Sequence, residues 1–250
     1  MNGLSKREDF ILEQMKDGED ISVSQLSKSL GVSVVTIRTD LKSLEEKGLI
    51  IRTHGGAVPA FHPDLLERKS SRNAEKERIA KAAAALVKDG DRIMITNGTT
   101  SALVGRYLLG RRDVQVVTNS TLLLPYARIN PNMSITFVGG EFRPSAEALV
   151  GPEAIHRIDQ FHVSMTITGT DGFTLEHGLT THLVESAEIV RKMCEQSDTS
   201  VLVVDSSKFG NKGFVKILPL EDIDILITDT GLDDEITRSI EDAGVEVHRV

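Results

Sequence analysis

The sequence predicts an α/β protein with a small winged helix-turn-helix at its N-terminus and a larger, doubly wound, mostly parallel sheet behind it. Two observations lead to this prediction. Residues 31–57 combine a helix-period segment with a short apolar run, a basic position and a Gly-Gly turn. After Gly90, short apolar runs alternate with helix-period segments, which is typical of a parallel α/β sheet. We expect a first domain over residues 1–58, a linker over 59–73 and a second domain over 74–250.

The first domain begins with two predicted helices. Apolar residues recur at helical spacing over residues 5–17, and Gly18 is expected to end this helix. A second, shorter helix is predicted because Val23, Leu26 and Leu30 share one helical face. Two helices joined by a tight turn form the first part of a helix-turn-helix unit.

The third predicted helix determines how we interpret this domain. Ser33 suits its N-cap, and Lys47 with Gly48 suit its end. Its apolar residues recur at helical spacing and are expected to face inward: Val34, Ile37, Leu41 and Leu44. Its other face carries short hydroxyls and long cations: Thr36, Arg38, Thr39 and Lys42. This helix suits a recognition helix in a DNA major groove with the following hairpin as a wing, although an ordinary amphipathic helix and hairpin fits the same pattern.

The overall charge is a mild argument against nucleic-acid binding. The formal net charge is -8 at pH 7, which is the wrong sign for a general nucleic-acid binder. The field that matters is local, however. The candidate contact face holds Arg38, Lys42, Arg52 and His54, so we expect the excess acidity to lie on the second domain.

The composition limits the other classes of function. The 250 residues are 40% hydrophobic, which is enough for two domains with their own cores. There is no apolar run that could span a bilayer, and residues 1–10 lack a secretory apolar segment, so we expect a cytoplasmic protein without a membrane partner. The single cysteine, Cys194, is expected to be buried because it follows Ala187 and Val190 at helical spacing. The seven histidines show no metal-ligand spacing, so we predict no metal and no cofactor.

Seven apolar runs predict the strands of the second domain. They cover residues 92–95, 114–117, 134–138, 163–168, 201–204, 223–228 and 245–250. Small and polar residues follow several of these runs, and ligands of such sheets bind outside the carboxyl ends of the strands. We therefore expect the loops after the strands to form a pocket that recognises phosphate and hydroxyl groups.

Each of these polar loops also has a purely structural interpretation. Residues 98–100, Gly-Thr-Thr, open a helix whose unpaired N–H groups favour an anion, but simple helix capping would use the same residues. Asn119 can hold a sugar hydroxyl or cap its own helix. Asp171 supplies an acceptor suited to hydroxyl groups, and Lys208 supplies a cation suited to phosphate or to a carbonyl. Lys208 also fits a solvated turn.

The motifs of both domains resemble those of one known family. The first domain contains VSVVTIRTDLKSLEEKGLI and RTHGGAV, which resemble the DNA-binding module of DeoR-type bacterial transcriptional repressors. The second contains NGTT, VVTNS, VGGEFRP, LVGPEA, GTDG, HGLTT and DSSKFG, which resemble the effector domain of the same repressors. The resemblance covers the chain from about Lys6 to the end. It implies that the second domain is similar in fold to ribose phosphate isomerase and senses phosphorylated sugars or sugar alcohols.

The pattern and the resemblance together assign residues to two sites. Contacts with a double-stranded DNA operator are expected from Ser33, Thr36, Arg38, Thr39, Lys42, Arg52 and His54. Effector contacts are implied for Gly98, Thr99, Thr100, Asn119, Gly140, Asp171 and Lys208. The chain departs from the family pattern at two places. Thr39 stands where a second basic residue is common, and Thr96-Asn97 stands where many members carry an acidic residue and a serine.

Two functions are consistent with this assignment. The favoured one is a repressor of a carbohydrate catabolic operon that a phosphorylated sugar or sugar alcohol releases from its operator. Because two DNA half-sites require at least two copies, we expect a homo-oligomer, a dimer or a tetramer. The alternative is a sugar-phosphate isomerase-like enzyme with an appended DNA-binding module, in which Asp171 is the base and Lys208 stabilises charge. Since Glu141 and Asp205 have no evident role as a second acid or base, we predict no catalytic residues and no enzyme activity.

Overall fold

The computed structural model describes residues 4–15 and 20–250. Contacts divide the chain into two units, Met1–Asn73 and Ala74–Val250. The limits 1–58, 59–73 and 74–250 that we give to the functional domains stay a prediction, because contacts within one chain do not delimit function.

The first unit is a helical core with a three-stranded antiparallel sheet. Its elements are α1 (Lys6–Gln14), β1 (Ile21–Ser22), α2 (Val23–Leu30), α3 (Val34–Glu46), β2 (Ile50–Arg52), β3 (Gly56–Pro59) and α4 (Pro63–Ser70). The sheet has the order β1-β3-β2. Its core consists mainly of aliphatic side chains from the helices, including Ile11, Met15, Leu26, Ile37, Leu41 and Leu44. The order of the elements confirms the predicted winged helix-turn-helix, with α3 as the recognition helix and β2–β3 as the wing.

The predicted end of the first helix and the predicted inner face of the third can be compared with the structure. The expected end of the first helix at Gly18 lies outside the described residues. The prediction that Val34 faces inward is wrong, because this residue is 40% exposed. Its neighbour Val35 is 71% exposed. Val34 is the first residue of α3 and is not part of the core to which Ile37 and Leu41 belong.

A short helix, α4, occupies the middle of the predicted linker. Pro63 opens it at a position where the missing N–H is not needed, and Leu66 joins the core of the first unit. The stretch between the two functional domains therefore contains ordered structure.

The second unit contains the remaining helices and strands. They are α5 (Asn73–Leu86), β4 (Arg92–Ile95), α6 (Thr99–Tyr107), β5 (Val114–Thr118), α7 (Leu124–Ile129), β6 (Met133–Phe137), β7 (Glu141–Arg143), β8 (Ala148–Val150), α8 (Pro152–Ile158), β9 (Met165–Thr168), β10 (Gly172–Thr174), β11 (Gly178–Thr181), α9 (Val184–Glu195), β12 (Ser200–Val203), β13 (Val215–Lys216), β14 (Ile225–Thr228), α10 (Asp234–Asp242) and β15 (Glu246–Arg249). Within the described residues, no helix is long and apolar enough to cross a membrane.

The principal sheet has seven strands in the order β15-β14-β12-β9-β4-β5-β6. All of its neighbouring pairs are parallel. Each strand coincides with one of the seven predicted apolar runs, which confirms the doubly wound parallel sheet. The chain moves outward from β4 to β5 and β6, then returns to the other side of β4 at β9. The strand order therefore reverses between β4 and β9, which is where ligands of such sheets bind.

Two small antiparallel sheets were not predicted. One is the hairpin β7–β8, and the other has the order β10-β11-β13. Their strands are only two to four residues long, which is too short for a periodicity argument to detect. Two of them, β10 and β11, also contain glycine and threonine.

The single cysteine lies in the core of the second unit. Cys194 is buried and packs with Ala187 and Val190, as predicted. Burial raises the pKa of its thiol to about 11, and a protonated thiol is a poor nucleophile.

Candidate functional site

The recognition helix α3 is fixed to α1 by two ion pairs. Arg7 donates two hydrogen bonds to Asp40, from Nε to Oδ2 at 2.5 Å and from Nη2 to Oδ1 at 2.8 Å. Lys47 Nζ lies 2.7 Å from Glu8 Oε1, and Ser43 Oγ donates to the same oxygen at 2.7 Å. Because both carboxylates are largely shielded from solvent, these bonds define the position of α3 more strongly than surface ion pairs would.

The environment of Glu8 strongly favours its ionised form. Burial by itself would raise the pKa of this carboxyl group, but hydrogen bonds from Lys47, from the Ser5 N–H and from Ser43 outweigh burial and lower the pKa to about 2. Sequence reasoning missed this cluster, because Glu8 and Lys47 are 39 positions apart.

The polar face of α3 is exposed as predicted. Arg38, Thr39 and Lys42 are exposed, while Thr36 is half-buried. Ser33 is the N-cap of the helix, and its Oγ accepts a hydrogen bond from the Thr36 N–H at 3.1 Å. Ser33 therefore has a structural role as N-cap that does not depend on contact between its hydroxyl group and DNA.

The cations of this face differ in their local partners. Lys42 lies 3.8 Å from Glu46 on the same helix, and Arg52 of the wing lies 3.4 Å from Glu45. Arg38 makes no ion pair with any residue that the structure describes. Arg38 is therefore the cation that can meet a phosphate or a base edge without first giving up an acidic partner.

The wing presents the remaining predicted DNA contacts. β2 and β3 pair with Ile51 opposite Val58, and Arg52 opposite Ala57. His54 is exposed in the loop that joins them. The wing is also tied to the second helix, because the Val23 N–H donates to Gly55 O at 3.0 Å.

The predicted effector residues lie in loops or at the ends of helices that follow the strands at one edge of the principal sheet. We call them the strand-end cluster: Gly98, Thr99, Thr100, Asn119, Gly140, Asp171 and Lys208. They follow the carboxyl ends of parallel strands of this sheet: Gly98 lies in the loop after β4, Thr99 and Thr100 open the next helix α6, Asn119 follows β5 and Asp171 follows β9.

The loop after β4 has the features of an anion site. Gly98 is the N-cap of α6 and makes no side-chain capping bond, so the first N–H groups of the helix are left without a side-chain acceptor. The hydroxyls of Thr99 and Thr100 have no hydrogen-bond partner among the described residues. Gly98 has a φ of +148°, and a β-carbon there would lie 2.8 Å from Ser101 Oγ, so this position favours glycine.

Asn119 holds this loop in place from a fully buried position. Its Oδ1 accepts the Asn97 N–H at 2.8 Å, and its Nδ2 donates to Asn97 Oδ1 at 3.0 Å and to Leu149 O at 3.3 Å. Its exposed fraction is 0%. The structure thus gives Asn119 a positioning role, and it does not cap a helix.

Asp171 lies at the start of the small sheet β10-β11-β13. Its Oδ2 accepts a hydrogen bond from Thr181 Oγ1 at 2.7 Å and from the His182 N–H at 3.2 Å. The carboxylate is therefore held in a fixed orientation, half-buried, beside the strand order reversal between β4 and β9.

Lys208 is brought to the same region by the loop after β12. It ends a short 3-10 helix, Ser206–Lys208, that Asp205 caps. The following loop packs on β10: the Gly210 N–H donates to Phe173 O at 2.9 Å, and a β-carbon on Gly172 would meet Asn211 O at 2.3 Å. The Lys208 ammonium group has no acidic partner within the described residues.

Gly140 has a steric reason to be glycine. Its φ is +101°, and a β-carbon there would lie 2.4 Å from Val150 O and 3.2 Å from Ala154 Cβ. Any side chain would push β8 and α8 away from the loop. This close packing explains the residue type without a ligand.

Two residues outside the predicted set connect the cluster. Thr96 Oγ1 lies 3.1 Å from Thr168 Oγ1, which joins the ends of β4 and β9, and Asn97 joins β4 to Asn119. These are the positions at which the chain departs from the family pattern. The departure was visible in the sequence, but the contacts were not, because Thr96 and Thr168 are 72 positions apart.

Comparisons with known proteins match both parts of the chain to models of one family. Residues 7–60 match the DeoR-like helix-turn-helix domain, and residues 71–230 match the DeoR C terminal sensor domain. The structure of ribose 5-phosphate isomerase A from Methanocaldococcus jannaschii is similar at a TM-score of 0.41 and 21% identity, over 56% of this chain and 55% of that chain.

Full-length relatives match almost end to end. The putative aga operon transcriptional repressor of Escherichia coli O157:H7 is 31% identical over 99% of this chain and 94% of that protein. The HTH-type transcriptional regulator GlpR of Haloferax volcanii is 36% identical over 97% of this chain and 96% of that protein. The chain therefore belongs to the DeoR family of DNA-binding transcriptional repressors.

Proposed function

We propose that this protein represses a carbohydrate catabolic operon and that a phosphorylated sugar or sugar alcohol releases it from its operator. The observation that carries the proposal is the strand-end cluster, where an uncapped helix N-terminus, two unpartnered hydroxyls, a fixed carboxylate and a lysine lie on loops at one sheet edge. A phosphate with hydroxyl groups nearby matches this combination of donors and acceptors.

The DNA-binding part of the proposal rests on α3 and the wing. The helix presents Arg38, Thr39 and Lys42 to solvent and is fixed to α1 by shielded ion pairs. Its operator contacts would combine a base-reading helix with phosphate contacts from Arg52 and His54. Relatives named as transcriptional repressors support repression as the outcome.

Release by effector follows from linkage. An effector that prefers the state with weaker operator affinity lowers that affinity by the same factor by which DNA lowers effector affinity. Because an operator with two half-sites needs two recognition helices, the repressor would act as a dimer or a tetramer.

We propose that the chain is not an isomerase. Asp171 would be the only base suggested by the strand-end loops, and it is already hydrogen-bonded to Thr181 and His182. Incubation with aldose and ketose phosphates, followed by analysis of the sugars, tests this point, and turnover would contradict it.

The central test measures operator binding by fluorescence anisotropy with the full-length protein. The DNA is the upstream region of the gene's own operon, and the additions are a panel of sugar phosphates, alditol phosphates and the unphosphorylated sugars. We expect one phosphorylated compound to weaken binding at least tenfold, and its unphosphorylated form to have no effect. Tight binding that no phosphorylated carbohydrate relieves would overturn the effector class and leave the DNA-binding role intact.

A further inference from the structure

An exposed valine lies on the recognition helix. Among the large apolar side chains of the first unit that the structure describes, Val35 is the most exposed, at 71%. It is the second residue of α3. A β-branched residue loses side-chain freedom in a helix and has a lower helix propensity than alanine. Neither packing in the core nor helix formation therefore explains a valine at this position.

Val35 belongs to the face of α3 that is predicted to contact DNA. Residues three, four and seven positions apart lie on the same side of an α-helix, and here these are Arg38, Thr39 and Lys42. All three are exposed, and the buried residues of α3 lie on the other side of the helix. This face is therefore apolar at its N-terminal end and cationic further along.

The hydroxyl groups beside Val35 are hydrogen-bonded within the helix. Thr39 Oγ1 donates to Val35 O at 3.1 Å. Ser33 Oγ accepts the Thr36 N–H at 3.1 Å and lies 2.9 Å from Thr36 Oγ1. Because the hydroxyl proton of Thr39 is used by the backbone, this residue adds a methyl group and a hydroxyl acceptor to the surface near Val35. The start of this face is therefore more apolar than its residue types suggest.

We propose that Val35 contacts the methyl group of a thymine in the operator, an inference that rests on the proposed function. The N-terminal residues of a recognition helix are those that meet base edges in the major groove. Of the four bases, only thymine presents a methyl group there. The valine side chain, which is exposed in the free protein, is stabilised by covering that methyl group.

The same contact makes Val35 a determinant of sequence specificity. A valine side chain has no hydrogen-bonding group. A base that presents only donors or acceptors at this place would lose its water without gaining a partner. Cations such as Arg38 and Lys42 can bind phosphates of any sequence, whereas Val35 favours thymine at one position of each half-site.

Fluorescence anisotropy with the full-length protein tests this inference. The DNA is the shortest upstream fragment that footprinting shows to be bound, and each thymidine is replaced in turn by deoxyuridine, which lacks only the methyl group. We expect the wild type to lose about fourfold in affinity at one thymidine of a half-site, the contribution of one buried methyl group. Val35→Ala should bind the unmodified fragment more weakly by a similar factor and lose less than about twofold at that position.

Val184→Ala is the matched control, because Val184 is also an exposed valine at the start of a helix, α9, but lies in the second unit. It should lose as much affinity as the wild type at the same thymidine. Since alanine favours a helix more than valine does, Val35→Ala should keep the fold and the melting temperature of the first unit. The slope of affinity against salt concentration should also stay unchanged, because valine neutralises no phosphate.

The deoxyuridine series separates this inference from the proposed function. Equal losses in Val35→Ala and in the wild type at every thymidine would overturn the inference and leave the proposed function standing. A wild type that binds the fragment equally well whichever thymidine is replaced would do the same. A wild type that binds no part of the upstream DNA would overturn the proposed function itself.

Discussion

Asn119 and Lys208 lie at the same edge of the principal sheet but differ in what their side chains can still bind. Both donor hydrogens of the Asn119 amide are used, one by Asn97 and one by Leu149. Lys208 is half-buried and has no acidic partner within the described residues. The residue type alone does not separate these cases, because an amide and an ammonium group both suit a ligand until their neighbours are known.

Lys208→Ala should give a protein that still binds its operator but responds poorly to its inducer. The substitution removes the cation proposed to meet the effector phosphate and leaves the sequence of α3 and the wing unchanged. We expect the inducer concentration for half-release to rise at least tenfold in the anisotropy assay. Lys212→Ala is the matched control, since Lys212 lies on the same loop and contacts His177 instead. Induction of Lys208→Ala that matches the control would remove Lys208 from the effector site.

Arg38→Ala should weaken operator binding by about tenfold, since one cation at a DNA interface contributes about 1–3 kcal/mol when it reads a base. Effector binding by titration should stay unchanged. If Arg38 meets a phosphate rather than a base, the slope of affinity against salt concentration should also fall by about one. Arg238→Ala, which removes an exposed arginine from α10, serves as control. Full operator affinity in Arg38→Ala would exclude this face of α3 from the interface.

At the scale of elements, the recognition helix depends on a neighbour that never needs to touch DNA. The Arg7–Asp40 and Glu8–Lys47 pairs connect α1 to the middle of α3 and to its C-terminal end. A loss of either pair would leave a shielded charge without its partner, which costs more than the loss of a surface ion pair. The orientation of the DNA-contacting face therefore depends on α1.

Glu8→Gln should destabilise the first unit at neutral pH, and the effect should vanish in acid. The folded-state pKa of Glu8 is about 2, below its ordinary value of 4.5. The stabilisation from its ionised form is therefore present above pH 4.5 and is lost as the pH falls towards 2. The difference between these two pKa values corresponds to about 3 kcal/mol at pH 7.

Hydrogen exchange of peptides from α1 and α3 is the suitable measurement. The chain has no tryptophan, and both tyrosines, Tyr107 and Tyr126, lie in the second unit, so intrinsic fluorescence would not report on Glu8. We expect faster exchange in Glu8→Gln than in the wild type at pH 7 and a smaller difference near pH 3. A difference that does not depend on pH would assign the effect to packing and not to the charge of Glu8.

At the scale of the whole molecule, the two activities belong to separate units of one chain. The residues predicted to contact DNA lie in Met1–Asn73, and the strand-end cluster lies in Ala74–Val250. Any communication between them is a coupling free energy, which acts equally in both directions.

The factor by which effector weakens operator binding should equal the factor by which operator weakens effector binding. Anisotropy titrations of DNA at several effector concentrations give the first factor. Calorimetric titrations of effector into free protein and into the operator complex give the second. Agreement within experimental error is expected for coupling through one protein state. Effector binding that DNA leaves unchanged, in a protein that effector releases, would exclude this linkage.

Local sequence patterns predicted the main elements well, because each depends on neighbours a few residues away. The 3.6-residue spacing of Ile37, Leu41 and Leu44 placed the inner face of α3, and compact apolar runs placed all seven strands of the principal sheet. Ser33 was recognised as an N-cap because its bond to the Thr36 N–H spans only three residues. The strand-end cluster followed from a general property of parallel sheets, namely that their carboxyl ends meet at one edge.

The sequence by itself determined the three helices before the wing, the parallel strands and the edge at which polar loops gather, since these arise from local periodicity and chain connectivity. Only the tertiary structure decided which polar side chains remain available. Asn119 is hydrogen-bonded to Asn97 from another loop, and Glu8 is paired with Lys47 at the end of another helix. Burial and hydrogen-bond partners are properties of residues far apart in the chain, and no local pattern contains them.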